Sequence, residues 1–268
     1  MSEQPVPDRG LELRDLTVRF GGHTAVADLS FDAPTGRITG LIGPNGAGKT
    51  TTLNVCSGLL RPVAGRVALF GRDVSRLSAA HRARLGLGRT FQGMELYTSM
   101  TVAENVALGR EARFAARGPF HQVLGGRRER VAVSEAVERA LAACDLEELA
   151  GRRVDHLSTG QRRLVELARA HAGGFRFLLL DEPSSGLDKR ETRRLAEILR
   201  AMVAAEDIGL LLVEHDMSLV MGVCDHLYVL DFGRLIFAGT PVETRRSDLV
   251  RAAYLGDEKP ELAALEVR

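Results

Sequence analysis

One octapeptide constrains the fold of this chain more than any other feature. Residues 43–50 read GPNGAGKT, a full match to the pattern of glycine, four residues, glycine, lysine and Ser or Thr. Gly43, Gly46 and Gly48 let the backbone wrap closely, so that successive N–H groups converge on a phosphate, and the following helix adds the positive end of its dipole. The octapeptide therefore predicts a phosphate-binding loop between a strand and a helix.

The flanks of the octapeptide have the pattern that such a loop requires. A short, largely apolar run (RITGLI, residues 37–42) precedes it, and apolar residues recur at helical spacing after it, at Leu53, Cys56, Leu59 and Leu60. Without these flanks, the glycines would indicate only a turn that caps a helix.

The remaining polar residues of this segment have predicted roles in binding a nucleoside triphosphate. Lys49 would reach the β- and γ-phosphates of ATP, and the Thr50 hydroxyl would ligate Mg²⁺. Thr51 would donate a further hydrogen bond to phosphate, and Asn45, inside the turn, is assigned to the same site. ATP and Mg²⁺ are the expected ligands.

Apolar runs elsewhere indicate a doubly wound α/β fold, which together with the octapeptide resembles a P-loop NTPase (RecA-like) core. Residues 177–180 (FLLL) and 209–213 (GLLLV) lack polar alternation, which is typical of central parallel strands covered on both faces. Between them, residues 190–204 place apolar side chains on one helical face, which gives a β-α-β unit. Residues 227–230 and 234–238 would finish the sheet.

Two further regions are expected beside this core. Residues 11–20 and 25–31 alternate apolar and polar side chains and predict an antiparallel β subdomain with one solvated face. The middle of the chain, residues 92–162, predicts an inserted helical subdomain with helices over residues 102–108 and 131–144.

These regions form one predicted domain over residues 8–257, with its core in residues 8–91 and 163–257 and a tail of residues 258–268. Within the helical subdomain, residues 109–130 are rich in arginine and glycine. They indicate either a solvated loop or a basic surface near lipid headgroups or a membrane partner.

Composition and charge exclude several classes of function. The 268 residues are 45% hydrophobic, enough for a sizeable core, and 36 Lys and Arg against 35 Asp and Glu argue against a nucleic-acid partner. Cys56, Cys144 and Cys224 lie far apart among apolar neighbours, which predicts buried, reduced thiols and a reducing compartment. No apolar run is long enough to cross a bilayer, so we expect any membrane role to be through another protein.

Two adjacent acids end the apolar strand FLLLDE, residues 177–182. They lie at the carboxyl edge of the sheet, where open α/β sheets bind ligands. Asp181 is predicted to hold Mg²⁺ through water, and Glu182 to face the attacking water as general base. Seen alone, these residues would indicate only a polar turn.

The pentapeptide LSTGQ, residues 157–161, resembles the signature motif of the ABC ATPase superfamily. Other residues follow the same family order: Gln92 resembles the Q-loop glutamine, SSGLD at residues 184–188 the D-loop, and His215 the switch histidine. Phe20 resembles the aromatic residue that stacks on adenine. The similarity extends over nearly the whole chain.

The resemblance implies that the site is shared between two molecules. Ser158, Gly160 and Gln161 would face the γ-phosphate held by the other subunit of a head-to-tail dimer, with Asp188 contributing to the nucleotide site. Thr159 departs from the family pattern, in which glycine is usual, and its β-branched side chain is stiffer.

Within the single subunit, the resemblance implies that Glu182, His215 and Gln92 take part in catalysis. It also implies that Mg²⁺ is held by Thr50, Asp181 and Gln92.

Each of these family residues also has a simpler explanation. Ser158 and Asp188 would cap the helices that follow them, and His215 would be a strand-end histidine bonded to a backbone carbonyl. Phe20 would be a half-buried strand aromatic, and Gln92 a polar loop residue.

Three longer stretches, residues 19–26, 89–106 and 210–241, are similar to the ATP-binding subunits of branched-chain amino acid importers. That similarity implies a second, non-identical ATPase subunit, transmembrane permease subunits and a periplasmic or extracellular substrate-binding protein. It also implies a position at the cytoplasmic face of the membrane. Residues 94–100 would transmit motion to a permease helix.

Three alternatives stay open. An export-type ATPase that extracts lipopolysaccharide is close in sequence to this branch. A soluble ABC ATPase of DNA repair or translation is disfavoured, because the chain has neither a long coiled-coil or zinc insertion nor a second cassette. A nucleotide-binding regulator without turnover is disfavoured because Glu182 and His215 are both in place.

Overall fold

The computed structural model describes residues 9–90, 93, 95–115 and 126–255. Within these ranges the fold has two sheets, one antiparallel and one mainly parallel, with helices packed against both faces of the second. This arrangement confirms the predicted α/β class with an antiparallel β region.

The antiparallel sheet has the strand order β2-β1-β4-β5. Its strands are β1 (Leu11–Phe20), β2 (His23–Ala33), β4 (Ala64–Leu69) and β5 (Arg72–Asp73). β1 pairs with both β2 and β4, and its alternating apolar residues are buried on one face. The predicted bounds of β1 are confirmed, and a bulge at Arg14 and Asp15 joins its two short alternating runs, residues 11–13 and 16–18.

The second sheet has the order β10-β9-β3-β8-β7-β6. Its strands are β3 (Ile38–Ile42), β6 (Leu87–Arg89), β7 (Phe177–Asp181), β8 (Gly209–Val213), β9 (His226–Asp231) and β10 (Arg234–Gly239). All neighbours are parallel except β9 and β10.

The apolar runs of the central strands supply two cores. Leu178, Leu180 and Leu210 belong to one cluster of buried side chains, whereas Leu179 and Leu211 belong to the other. Because successive side chains in a strand point to opposite faces, a strand covered on both sides must be apolar throughout.

The helices are α1 (Lys49–Ser57), α2 (Ala79–Leu85), α3 (Val102–Ala115), α4 (Gly126–Ala143), α5 (Thr159–Ala172), α6 (Lys189–Glu206), α7 (Met217–Val223), α8 (Pro241–Arg246) and α9 (Asp248–Leu255). Short 3-10 turns cover Glu147–Leu149 and Val154–His156. α3, α4 and α5 pack against one another. The expected boundary at residues 162 and 163 falls inside α5, and the proposed division of the domain stays a prediction.

Two expectations about helices were wrong. α1 ends at Ser57, because Gly58 adopts φ 83° and its left-handed backbone terminates the helix before Leu59 and Leu60. The arginine- and glycine-rich segment is not a loop at its ends, since α3 extends to Ala115 and α4 begins at Gly126. Residues 116–125 lie outside the described residues.

The three cysteines are buried, as predicted, and burial raises the pKa of the Cys56 thiol to about 12. In the part of the chain that the structure describes, no helix is both long and apolar enough to cross a membrane.

Candidate active site

Two glycines in the loop between β3 and α1, Gly43 and Gly48, occupy positions where a side chain would collide with neighbouring backbone. Gly43 has φ 149° and Gly48 has φ 97°. A β-carbon on Gly43 would collide with the Leu230 carbonyl oxygen, and one on Gly48 would lie 2.6 Å from the Ala25 carbonyl oxygen. The close approach of β9 and β2 therefore fixes the curvature of the loop.

The N-terminus of α1 has the features of an anion-binding site. Its N-cap is Gly48, no side chain caps it, and its first turn carries no acidic residue. The first N–H groups of a helix have no intrahelical acceptor, so here they stay available to a ligand. Thr50 is exposed and Thr51 half-buried at this end, and Asn45 and Gly46 are exposed in the loop.

Lys49 is buried and points back into the loop. Its Nζ donates to the Gly43 carbonyl oxygen at 2.6 Å and to the Pro44 carbonyl oxygen at 2.9 Å. Burial lowers the pKa of Lys49, and the carboxylates of Glu182 and Asp181 oppose that shift by attraction. The structure thus brings the loop lysine together with both predicted acids.

Asp181 ends β7 as a buried carboxylate. Its Oδ2 accepts a hydrogen bond from Arg89 Nη2 at 3.1 Å, while its buried Oδ1 has no hydrogen-bond partner among the described residues. Burial raises the pKa of Asp181, and Arg89 opposes that rise. A buried carboxylate oxygen without a donor beside a phosphate loop fits a hard divalent cation or its bound water.

Glu182 follows Asp181 in a strained conformation. Its φ of 48° lies in the left-handed region, which non-glycine residues occupy at a cost of about 1–3 kcal/mol. Its Oε2 lies 3.9 Å from Nδ1 of His215, whose side chain is 58% exposed. The turn after β7 therefore brings the Glu182 carboxylate near the His215 ring.

The signature segment forms a separate arrangement. Ser158 caps α5 by accepting from the Gln161 backbone N–H at 3.2 Å, and Gln161 Oε1 accepts from the Ser158 N–H at 3.0 Å. A similar capping box joins Asp188 and Glu191 at the start of α6. The predicted capping roles of Ser158 and Asp188 are present in the fold, and they are compatible with further roles.

The starts of α5 and α6 lie against each other. A β-carbon on Gly160 would collide with the Glu191 carboxylate, and one on Gly186 would lie 3.4 Å from Thr159 Cγ2. Among the described residues, no hydrogen bond or ion pair joins Ser158 or Gln161 to the phosphate loop. The predicted site residues thus form two clusters within one chain.

Two predicted site residues remain, Phe20 and Gln92. Phe20 ends β1 opposite His23 with 52% of its surface exposed, which fits a half-buried strand aromatic and leaves one ring face accessible to a ligand. Gln92 lies outside the described residues.

A comparison with models of known protein families identifies the family of this chain. The model of the family described as ABC transporter matches residues 26–185, which is more than half of the chain. The chain belongs to the ABC transporter family. The predicted family and the P-loop NTPase core are confirmed, and as an ABC ATPase the chain binds nucleotide.

Curated relatives of this ABC ATPase match it along nearly their whole length. The high-affinity branched-chain amino acid transport ATP-binding protein LivG of Salmonella typhimurium is 39% identical over 92% of this chain and 98% of its own. BraF of Pseudomonas aeruginosa, with the same description, is 36% identical over 92% of this chain. The lipopolysaccharide export system ATP-binding protein LptB of Acidithiobacillus ferridurans is also 36% identical, over 92% of this chain and 97% of its own.

Solved structures agree with the fold. An ATP-binding cassette of an ABC transporter in its ADP conformation superposes with a TM-score of 0.82 at 28% identity, covering 93% of this chain and 99% of that chain. A nucleotide-free cassette gives a TM-score of 0.76 at 27% identity, covering 97% and 99%.

Sequence reasoning missed two residues of this ABC ATPase site. Arg89 joins Asp181 to the end of α1, donating to Asn54 Oδ1 at 2.7 Å and to Ser57 Oγ at 2.9 Å. Glu214 is fully buried after β8. Both are charged residues at the carboxyl end of a buried parallel strand, the same signal that identified Asp181 and Glu182.

Proposed function

We propose that this chain is the ATP-hydrolysing subunit that powers an ABC importer of branched-chain amino acids or related small polar solutes. One observation carries the catalytic part: an uncapped helix start with a buried lysine lies beside two carboxylates at the end of β7. The donors suit a polyphosphate, and the acids suit a metal and a water.

The phosphate loop and Lys49 would bind the β- and γ-phosphates of ATP. Thr50 and Asp181 would hold Mg²⁺, and we propose Gln92 as a further ligand. When bound, the metal neutralises charge on the phosphate oxygens. Lys49 would exchange its two carbonyl acceptors for phosphate oxygens, because a negatively charged oxygen attracts the ammonium group more strongly than a neutral carbonyl oxygen does.

Hydrolysis would begin at Glu182. Its carboxylate would accept a proton as water attacks the γ-phosphorus, the bond to the β-γ bridging oxygen breaks, and ADP leaves with inorganic phosphate. His215, whose Nδ1 lies 3.9 Å from Glu182 Oε2, would donate a hydrogen bond to the γ-phosphate or the water. Phe20 would offer its exposed ring to adenine.

The second cluster would act on another molecule. Ser158, Gly160 and Gln161 would cover the γ-phosphate bound by a partner ABC ATPase, and Asp188 would contribute at the same boundary. The separation of this cluster from the phosphate loop within the chain supports a head-to-tail pair, since one chain then contributes half of each of two sites. The partner in a natural complex would be a non-identical ATPase, and an isolated chain would pair with itself.

The transporter would place this pair at the cytoplasmic face of the membrane, bound to permease subunits and served indirectly by a substrate-binding protein. Tyr97, exposed in the segment that follows Gln92, supports a docking surface there for a permease helix. Met94 of that segment lies outside the described residues.

Replacing Glu182 with Gln tests the catalytic proposal. Nucleotide binding should persist while phosphate release falls about 100-fold or more, because the general base is lost. Glu135→Gln, an exposed acid on α4, is the matched control and should keep wild-type turnover. Equal rates of phosphate release in Glu182→Gln and wild type would remove Glu182 from this role.

Lipopolysaccharide export is the second candidate, favoured by the similarity to LptB. Co-expression with the permeases encoded beside the gene, followed by an ATPase assay in proteoliposomes, separates the two. A binding protein loaded with leucine should stimulate hydrolysis in an importer. Stimulation by lipopolysaccharide instead would establish the export function.

A further inference from the structure

Glu214 is a buried acid that the proposed catalytic roles do not use. It follows β8 directly, none of its surface is exposed, and its carboxylate accepts from three backbone N–H groups. A buried carboxylate is stable only when hydrogen-bonded, so these donors account for its burial.

The three donors come from two different segments. Ser184 N donates to Glu214 Oε1 at 2.8 Å across 30 residues of chain. His215 N and Asp216 N donate to Oε2 at 3.1 and 3.4 Å. One carboxylate therefore ties the turn after β7, which carries Glu182, to the turn after β8, which carries His215.

The turn after β7 needs such an anchor. Glu182 has a left-handed backbone, which persists only where neighbouring contacts hold it. Two contacts flank it: the Glu182 N–H donates to the Val213 carbonyl oxygen at 2.9 Å, and the Ser184 N–H donates to Glu214. Both acceptors belong to consecutive residues of the β8 end.

We propose that Glu214 is a positioning residue that fixes the turns after β7 and β8 relative to each other, so that the side chains of Glu182 and His215 stay close together. In this role it would act through the backbone N–H groups of Ser184 and His215. This inference rests on the proposed roles of Glu182 and His215.

Glu214→Gln tests it without a change of size. The amide keeps one acceptor oxygen and places an NH₂ group against at least one N–H donor, so the two segments can no longer share the side chain. Hydrogen–deuterium exchange should become about tenfold faster in residues 182–188 and 214–219 together, and stay unchanged in β1 and β2. The phosphate-release rate at saturating ATP should fall about tenfold with unchanged KM.

Glu243→Gln is the matched control, because Glu243 also accepts a backbone N–H, from Thr240 at 2.7 Å, in a capping box on α8. It should leave exchange in both segments and turnover unchanged. If Glu214→Gln does not fold, Glu214→Asp, shorter by one methylene, should give the same paired increase in exchange.

Faster exchange in only one segment, unchanged exchange in both, or a uniform increase that includes β1 and β2 would overturn the proposal. Wild-type chain without ATPase activity would refute the proposed function instead, and the exchange measurement would still decide the role of Glu214.

Discussion

Lys49 is the residue whose loss should weaken nucleotide binding most directly. Lys49→Ala removes the buried ammonium group that faces the phosphates, and we expect the affinity for ATP to fall at least about tenfold in an equilibrium binding titration. Arg245→Ala, an exposed cation on α8, should bind as wild type does.

Affinity should also depend on pH through Lys49. Burial lowers the pKa of this amine, so it loses its proton at a lower pH than a free lysine would, and phosphate favours the protonated form. Affinity in wild type should therefore weaken as the pH rises through the lowered pKa of Lys49, and this pH dependence should be reduced in Lys49→Ala. An unaltered slope in the variant would assign the titration to another group.

Arg89 compensates the buried charge of Asp181. Arg89→Met keeps an apolar stem but removes the cation that is bonded to the Asp181 carboxylate. Because this ion pair is buried, the free energy of unfolding should fall by about 3 kcal/mol. Urea denaturation of the nucleotide-free chain should show this loss, whereas Arg84→Met, at an exposed arginine on α2, should change stability by less than about 0.5 kcal/mol. Similar losses in both variants would mean that the Arg89–Asp181 pair contributes no special stability.

At the scale of elements, a comparison of two capping boxes distinguishes the contribution of a cap to helix stability from the proposed role of Ser158 in catalysis. Ser158→Ala on α5 and Thr240→Ala on α8 each delete a hydroxyl that accepts the backbone N–H three residues on. Each should lower the free energy of unfolding by about 1 kcal/mol. Only Ser158→Ala should also lower the rate of ATP hydrolysis, because only that hydroxyl is proposed to meet a phosphate. Equal turnover in the two variants would reduce Ser158 to a cap.

The sequence predicted those elements whose signal is local. Unbroken apolar runs located β7 and β8, and alternation located β1, because sheet position dictates these patterns. The end of α1 was missed, since Leu59 and Leu60 keep the helical spacing and only the left-handed Gly58 stops it.

Contacts between elements could not be predicted in the same way. Arg89 reaches Asp181 because β6 lies beside β7, and Glu214 reaches Ser184 because β8 lies on the other side of β7. Strand order is a property of the whole sheet, so no window of sequence around Arg89 or Glu214 contains these partners.

At the scale of the whole molecule, the proposed roles of the two clusters would leave a single chain without a complete active site. The phosphate loop and both acids lie at one edge of the large sheet, whereas Ser158 lies at the start of α5 against α6. A head-to-tail pair with two-fold symmetry would bring each Ser158 to the loop of the other chain and close two sites at once.

Mixing two defective variants tests this arrangement. Lys49→Ala and Ser158→Ala should each hydrolyse ATP slowly alone, because every site in either homodimer lacks one group. In a mixed dimer, one site would combine Lys49 of the second variant with Ser158 of the first, so mixing should restore about a quarter of wild-type phosphate release for randomly exchanging chains. A mixture of Lys49→Ala with Glu182→Gln is the control: both lesions lie in the same half-site, so no intact site forms and activity should stay low. The shared-site arrangement would be wrong if two results were found together. The mixture of Lys49→Ala and Ser158→Ala would give only the sum of the rates of the two variants measured separately. The activity of the wild type per chain would also stay constant on dilution, which would mean that each chain works alone.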